Sequence, residues 1–140
     1  RYIDSLKIES LASHIGAWFK DEVSISPELT AVIGKKGSGK SAFVDIVALC
    51  GKSSIDPEHY SFLHKNKFRK DGITAKKYGA TLKWRDAEVV EMNLDEDVNR
   101  ASEPERVKYL PQKFVEESRH PFSRICTKLV PRFTRIKLSV

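Results

Sequence analysis

An α/β fold is predicted for this 140-residue chain by three features of its first half. Segments near the start alternate apolar and polar residues. A nearly continuous apolar run fills residues 29–33. An apolar stretch of helical length fills residues 41–50, and a glycine-rich loop joins the last two. Period-two alternation marks a strand with one covered face, whereas a short unbroken run marks a strand covered on both. The expected architecture is a small antiparallel sheet beside a partial parallel core built around the loop and its helix.

Each element follows from its residues. Residues 2–11 set Ile3, Leu6 and Ile8 among polar neighbours and read as a strand. Trp18 and Phe19 precede a charged turn at Lys20, Asp21 and Glu22. Val23, Ser24, Ile25 and Ser26 alternate as a second strand, and Pro27 and Glu28 mark a turn. Residues 29–33 form the third strand. In the helix that follows, Phe43, Val44, Ile46, Val47, Leu49 and Cys50 leave Asp45 as the one clearly polar interior position. Gly51 is a natural stop. Residues 52–71 are polar and basic around an apolar knot at Tyr60, Phe62 and Leu63. Residues 80–84 and 88–94 read as a hairpin turning at Arg85, Asp86 and Ala87. An acidic loop follows over 94–105, then a short strand over 107–110 that ends at Pro111, then a helical turn or two over 112–118.

Length and composition narrow the function classes. The chain suits one domain of ordinary size, with 40% hydrophobic and 31% charged residues. No apolar run approaches the roughly 20 residues of a membrane-spanning helix, and residues 1–11 do not resemble a secretory signal. The chain opens on Arg1 without an initiator Met, so a fragment or a processed product is expected. Cys50 and Cys126 lie too far apart for a metal spacing or a disulfide framework, and a reducing, cytoplasmic setting follows. His14, His59, His64 and His120 make no metal spacing with either cysteine and read as surface or loop residues. The net charge of +6 comes entirely from residues 119–140, which hold six basic residues and no acidic one. The body, residues 1–118, is neutral overall, so a generally basic DNA-coating domain is a poor description. The basic tail, 119–140, reads as a solvated terminus, with a contact to nucleic acid or an anionic surface as the alternative. Lys65, Lys67, Arg69 and Lys70 around Phe68 likewise read as a solvated loop in preference to a nucleic-acid contact.

The strongest signal is Gly34, Lys35, Lys36, Gly37, Ser38, Gly39, Lys40, Ser41, which fits G-x-x-x-x-G-K-[ST] at every fixed position. A loop that wraps a polyphosphate must turn successive backbone N–H groups inward, and glycine permits both the close approach and the dihedrals. Lys40 would bring an ammonium to the β- and γ-phosphates, and Ser41 would offer its hydroxyl to Mg²⁺. The helix beyond points the positive end of its dipole at the same anion. The cofactors expected on this reading are ATP and Mg²⁺. ATP is preferred to GTP because no N-K-x-D motif is present. Trp18 or Phe19 could stack on the adenine, although core packing is the expectation for at least one of them.

Val107, Lys108, Tyr109, Leu110, Pro111 and Gln112, about seventy residues beyond Lys40, resemble the strand and glutamine of the Q-loop in ABC-type ATPases. Ile3 to Ile8 and Leu29 to Gly34 are similar to the opening of the same group, particularly the chromosome-maintenance (SMC) and RecF-type heads. More narrowly, the chain is similar to the AAA-like ATPase region of TrlF-like proteins, which carry an N-terminal PHP-type domain. The resemblance covers residues 1–118 and implies an incomplete first lobe of a P-loop NTPase. It also implies Gln112 as a second metal ligand, a role that competes with Gln112 simply capping a helix. A partner follows as well, either a second ATPase head or a missing C-terminal lobe, with DNA as a further candidate. A signature loop, an Asp-Glu strand and a switch histidine are absent after Gln112. Val89 to Glu96 ends in Asp-Glu but precedes Gln112 and alternates as a solvent-facing hairpin strand, so Asp95 and Glu96 read as loop carboxylates. The isolated chain should therefore bind MgATP weakly and turn it over negligibly. The rivals are a small P-loop phosphotransferase, with Arg100, Arg106 or Arg119 as a lid, and a nucleic-acid-binding module that uses the tail.

Overall fold

The computed structural model describes residues 1–12, 22–98, 104–111 and 114. Trp18, Phe19, Gln112, the predicted helical turns of 112–118 (Phe114 apart) and the basic tail lie outside them. The fold of the described residues is a small mixed α/β arrangement, one antiparallel sheet with one α-helix against it and short 3₁₀ turns at Pro57–His59 and Ala75–Lys77. The strands are β1 (Ile3–Ser10), β2 (Val23–Ser24), β3 (Tyr78–Trp84) and β4 (Val89–Asn93), in the order β2-β1-β3-β4. All three pairings are antiparallel. Helix α1 (Lys40–Cys50) covers one face.

The sheet's covered face follows from register. Leu6 pairs with Leu82 and Ile8 with Ala80, while Leu82 pairs with Val90 and Ala80 with Met92. Strict alternation cannot put Ile3 on the face of Leu6 and Ile8, because three is out of phase with six and eight. A register shift between Ile3 and Ser5 absorbs the extra residue, and Ile3 meets Trp84 on the buried side. Against this face α1 buries Phe43, Ile46, Val47, Leu49 and Cys50. The β3–β4 turn is a three-residue loop at Arg85, Asp86 and Ala87. Trp84 N–H donates to Glu88 O at 2.8 Å and Ala87 N–H to Trp84 O at 3.0 Å, with Ala87 at φ +66°. The predicted hairpin is therefore present, and β4 turns Val89 and Glu91 outward as its alternation implied.

Three expectations are corrected. Residues 29–33 do not form a strand: they carry no ladder, Leu29 is 45% exposed and Ile33 66%. A strand buried on both faces needs neighbours on both edges, and none flanks this segment among the described residues. Thr30 is held instead by its own turn, with Ser26 N–H donating to its hydroxyl at 3.1 Å. For the same reason the partial parallel core is not formed among the described residues. The predicted strand over 107–110 is a strap without ladder partners. The amides of Arg106 and Val107 both donate to Gly51 O, at 3.1 and 3.0 Å.

Gly51 does end α1, but the reason differs from the expected one. Its φ is −79°, and Lys52 takes the left-handed position at +54°. A Cβ on Gly51 would lie 2.6 Å from the Cβ of Val107 and 2.9 Å from Val47 O, so glycine is needed there to let the strap approach.

Candidate phosphate-binding loop

The loop from Gly34 to Gly39 leads directly into α1, and its backbone is bent at two glycines. Gly37 lies at φ +85° and Gly39 at +87°, both in the left-handed region. Gly39 is the N-cap, and no side chain caps the helix. The first turn of any helix leaves its amides without intrahelical partners. Here the Ser38 amide donates to Lys35 O at 3.2 Å, and the first helical bond runs from Phe43 N–H to Gly39 O at 2.9 Å. Among the described residues, the amides of Lys36, Gly37, Gly39, Lys40, Ser41 and Ala42 meet no acceptor. The loop is exposed and Ser41 points into solvent-accessible space, while Ala42 and Phe43 immediately enter the core. The helix is thus anchored in apolar packing with its positive end at the surface.

Lys40 folds back over its own loop. Its ammonium donates to Gly34 O at 2.8 Å and Lys35 O at 2.7 Å, and lies 3.5 Å from Ser38 Oγ. These carbonyls hold the cation above the bend that the glycines create. Unpaired amides beside an ammonium form a donor set suited to an anion rich in oxygens. The side chains of Lys35 and Lys36 are exposed.

Behind the loop, Asp45 is fully buried one helical turn beyond Ser41. Its Oδ2 accepts from the amides of Phe62 (2.6 Å) and Leu63 (3.1 Å), and its Oδ1 from the Tyr109 hydroxyl (2.6 Å). Burial pushes the Asp45 carboxyl above its ordinary value, opposed by those three hydrogen bonds. Burial and the neighbouring Asp45 push the Tyr109 phenol upward as well. Tyr109 was legible only as a strand residue. The signal that could have found its role was Asp45 itself, since a lone carboxylate in an apolar stripe demands buried donors.

Other predicted positions resolve differently. Arg69 is not a solvated loop residue: it is 8% exposed and donates to Leu94 O, Glu96 O and Asp97 Oδ1 at 2.7, 2.7 and 2.6 Å. Phe68 packs between Phe62 and Tyr78, which leaves Lys65, Lys67 and Lys70 outside. Asp95 faces Lys76 at 3.8 Å, and Glu96 accepts from the Asn93 amide at 3.1 Å, as loop carboxylates do. Arg106 is engaged with Glu88, which also holds Arg1. Arg100, Arg119, His14 and His120 lie outside the described residues.

No protein-family model, curated protein or solved structure matches the chain. Among the described residues there is no cluster of three or more His, Cys, Asp or Glu side chains able to hold a metal ion. None of their helices is long and apolar enough to cross a membrane.

Proposed function

We propose that this chain binds MgATP through Gly34, Lys35, Lys36, Gly37, Ser38, Gly39, Lys40 and Ser41, as part of an ABC-type, SMC/RecF-like ATPase head. The observation that carries the reading is the set of acceptor-free amides at Lys36, Gly37, Gly39, Lys40, Ser41 and Ala42, bent by Gly37 and Gly39 and backed by the Lys40 ammonium. On binding, Lys40 exchanges the Gly34 and Lys35 carbonyls for phosphate oxygens, and the amides meet the remaining oxygens. Ser41, exposed at the second helical position, offers a hard oxygen to Mg²⁺.

Gln112 is the second metal ligand in this reading. It follows directly on the strap, whose backbone meets Gly51 at the C-terminal end of α1 and whose Tyr109 side chain reaches Asp45. Hydrolysis requires a polarising carboxylate and positive charge beyond the γ-phosphate. In this reading a second head or a C-terminal lobe supplies them, in the service of DNA repair, chromosome maintenance or defence. Exposed Leu29 and Ile33, in a segment without a ladder, favour such a companion. The phosphotransferase rival is disfavoured because Arg106, one of its lid candidates, is tied to Glu88. A cytoplasmic location is consistent with Cys50, a buried free thiol whose burial pushes it up to about 12.

Calorimetric titration with ATP, with and without Mg²⁺, tests the reading. Lys40→Ala should abolish binding in both conditions. Ser41→Ala should weaken the Mg²⁺ complex alone. Equal ATP affinity in wild type and Lys40→Ala would refute the assignment.

A further inference from the structure

Asp45 is an expensive choice for its position. A buried carboxylate is stabilised by its donors but disfavoured by desolvation, and an apolar side chain would fill the same stripe of α1 without that opposition. Among the described residues no cation lies within salt-bridge distance of it, and the Lys67 charge favours its ionised form only from further away. What the carboxylate does achieve is a junction: one oxygen holds the chain at Phe62 and Leu63, and the other holds the strap at Tyr109. Ser41 and Asp45 stand four residues apart and so lie on one face of α1, a single turn from each other. Toward the loop, Asp45 is the last hydrogen-bonded tie between the strap and α1 among the described residues.

We infer that Asp45 and Tyr109 are a positioning pair that couples occupancy of the loop to the strap over residues 104–111. The inference rests on the nucleotide-binding reading and adds a regulatory connection to it. An anion seated on the free amides of the loop and of Lys40, Ser41 and Ala42 fixes the first turn of α1. Asp45 is one turn further along the same rigid element, so the carboxylate that receives Tyr109 is fixed with it. The strap then loses freedom when the loop fills, and a correctly seated strap in turn favours the metal-bound nucleotide. Neither residue touches the phosphates; both act through α1.

The test uses the full chain and two readouts. Hydrogen–deuterium exchange is followed in peptides covering 34–41 and 104–111, with and without MgATP, and dissociation constants are measured for MgATP and for ATP in EDTA. In wild type, MgATP should slow exchange in both peptides. Tyr109→Phe removes only the hydroxyl. It should keep the loop protection, lose the strap protection, and weaken MgATP by about threefold to tenfold while Mg²⁺-free ATP is unchanged, the scale of one hydrogen bond. Asp45→Asn, whose carboxamide can still meet Tyr109 and the Phe62 and Leu63 amides, should retain strap protection. Strap protection that persists in Tyr109→Phe, or equal weakening with and without Mg²⁺, would overturn the coupling. Wild-type binding without any strap protection would overturn it too, with no variant required, while leaving the nucleotide site intact. Absence of ATP binding in wild type would instead remove the nucleotide reading and the coupling with it.

Discussion

Replacing Gly51 by alanine tests how the strap is held, and the size of the effect can be worked from the structure. The new methyl carbon would lie 2.6 Å from the Val107 Cβ, against about 3.5–4.0 Å for carbon atoms in contact. The strap must therefore withdraw by roughly 1 Å or more at that point. Overpacking of this kind costs about 1–3 kcal/mol. Withdrawal also weakens the two amide bonds from Arg106 and Val107 to Gly51 O, each worth about 0.5–1.5 kcal/mol. The gain opposing this is the reduced freedom of alanine in the unfolded chain, about 0.4–1 kcal/mol, available because φ is −79°. The clash wins, with a net loss on the order of 2 kcal/mol. For a chain of this length that corresponds to a fall of roughly 6–10 °C in Tm. Gly79→Ala is the control, since a Cβ there meets nothing closer than Leu11 at 3.4 Å. Thermal unfolding followed by circular dichroism should show a large drop for Gly51→Ala and little change for Gly79→Ala. A Gly51→Ala protein melting within about 1 °C of wild type would refute the packing of the strap on the end of α1.

Two further outcomes follow from buried polar groups. Asp45 has a folded-state pKa above its unfolded value, so its contribution to stability is full below the unfolded value of 3.8 and is lost as pH rises through the higher folded value. Denaturant titrations should therefore show the stability difference between Asp45→Asn and wild type moving in favour of asparagine from pH 4 to pH 7; a difference independent of pH would contradict the burial of a titrating carboxylate. Arg69→Ala strips the Leu94 and Glu96 carbonyls and Asp97 of their donor and should cost about 2–4 kcal/mol in the same assay, with Arg69→Lys recovering only part. A change below about 0.5 kcal/mol would place Arg69 in solvent after all.

The local elements were legible because their signals are local. Alternation located β1 and the β3–β4 hairpin, and the apolar run after the loop located α1 to within one residue of its start. The loop's glycines were legible for the same reason: φ near +85° is a demand made on single residues. What depended on partners was not legible. The run at 29–33 has the composition of a doubly covered strand, but composition cannot supply the neighbouring strands that would pair with it. Residues 107–110 look equally strand-like, yet their amides are satisfied at the end of a helix. Arg69 looked like one more basic residue in a polar stretch, and only the carbonyls of Leu94 and Glu96, 25 and 27 positions away, make it a core residue. The hydrogen bond from Tyr109 to Asp45 spans 64 positions and left no pattern beyond an unexplained carboxylate.

The central claim concerns the amides of the loop, and they can be observed directly. Backbone amide resonances of an isotope-labelled sample should be followed while MgATP is added. The account predicts that the largest shifts fall on Gly37, Gly39, Lys40 and Ser41 and saturate together, and that the shifts vanish in Lys40→Ala. Shifts concentrated elsewhere, with those four amides unmoved at saturation, would contradict it.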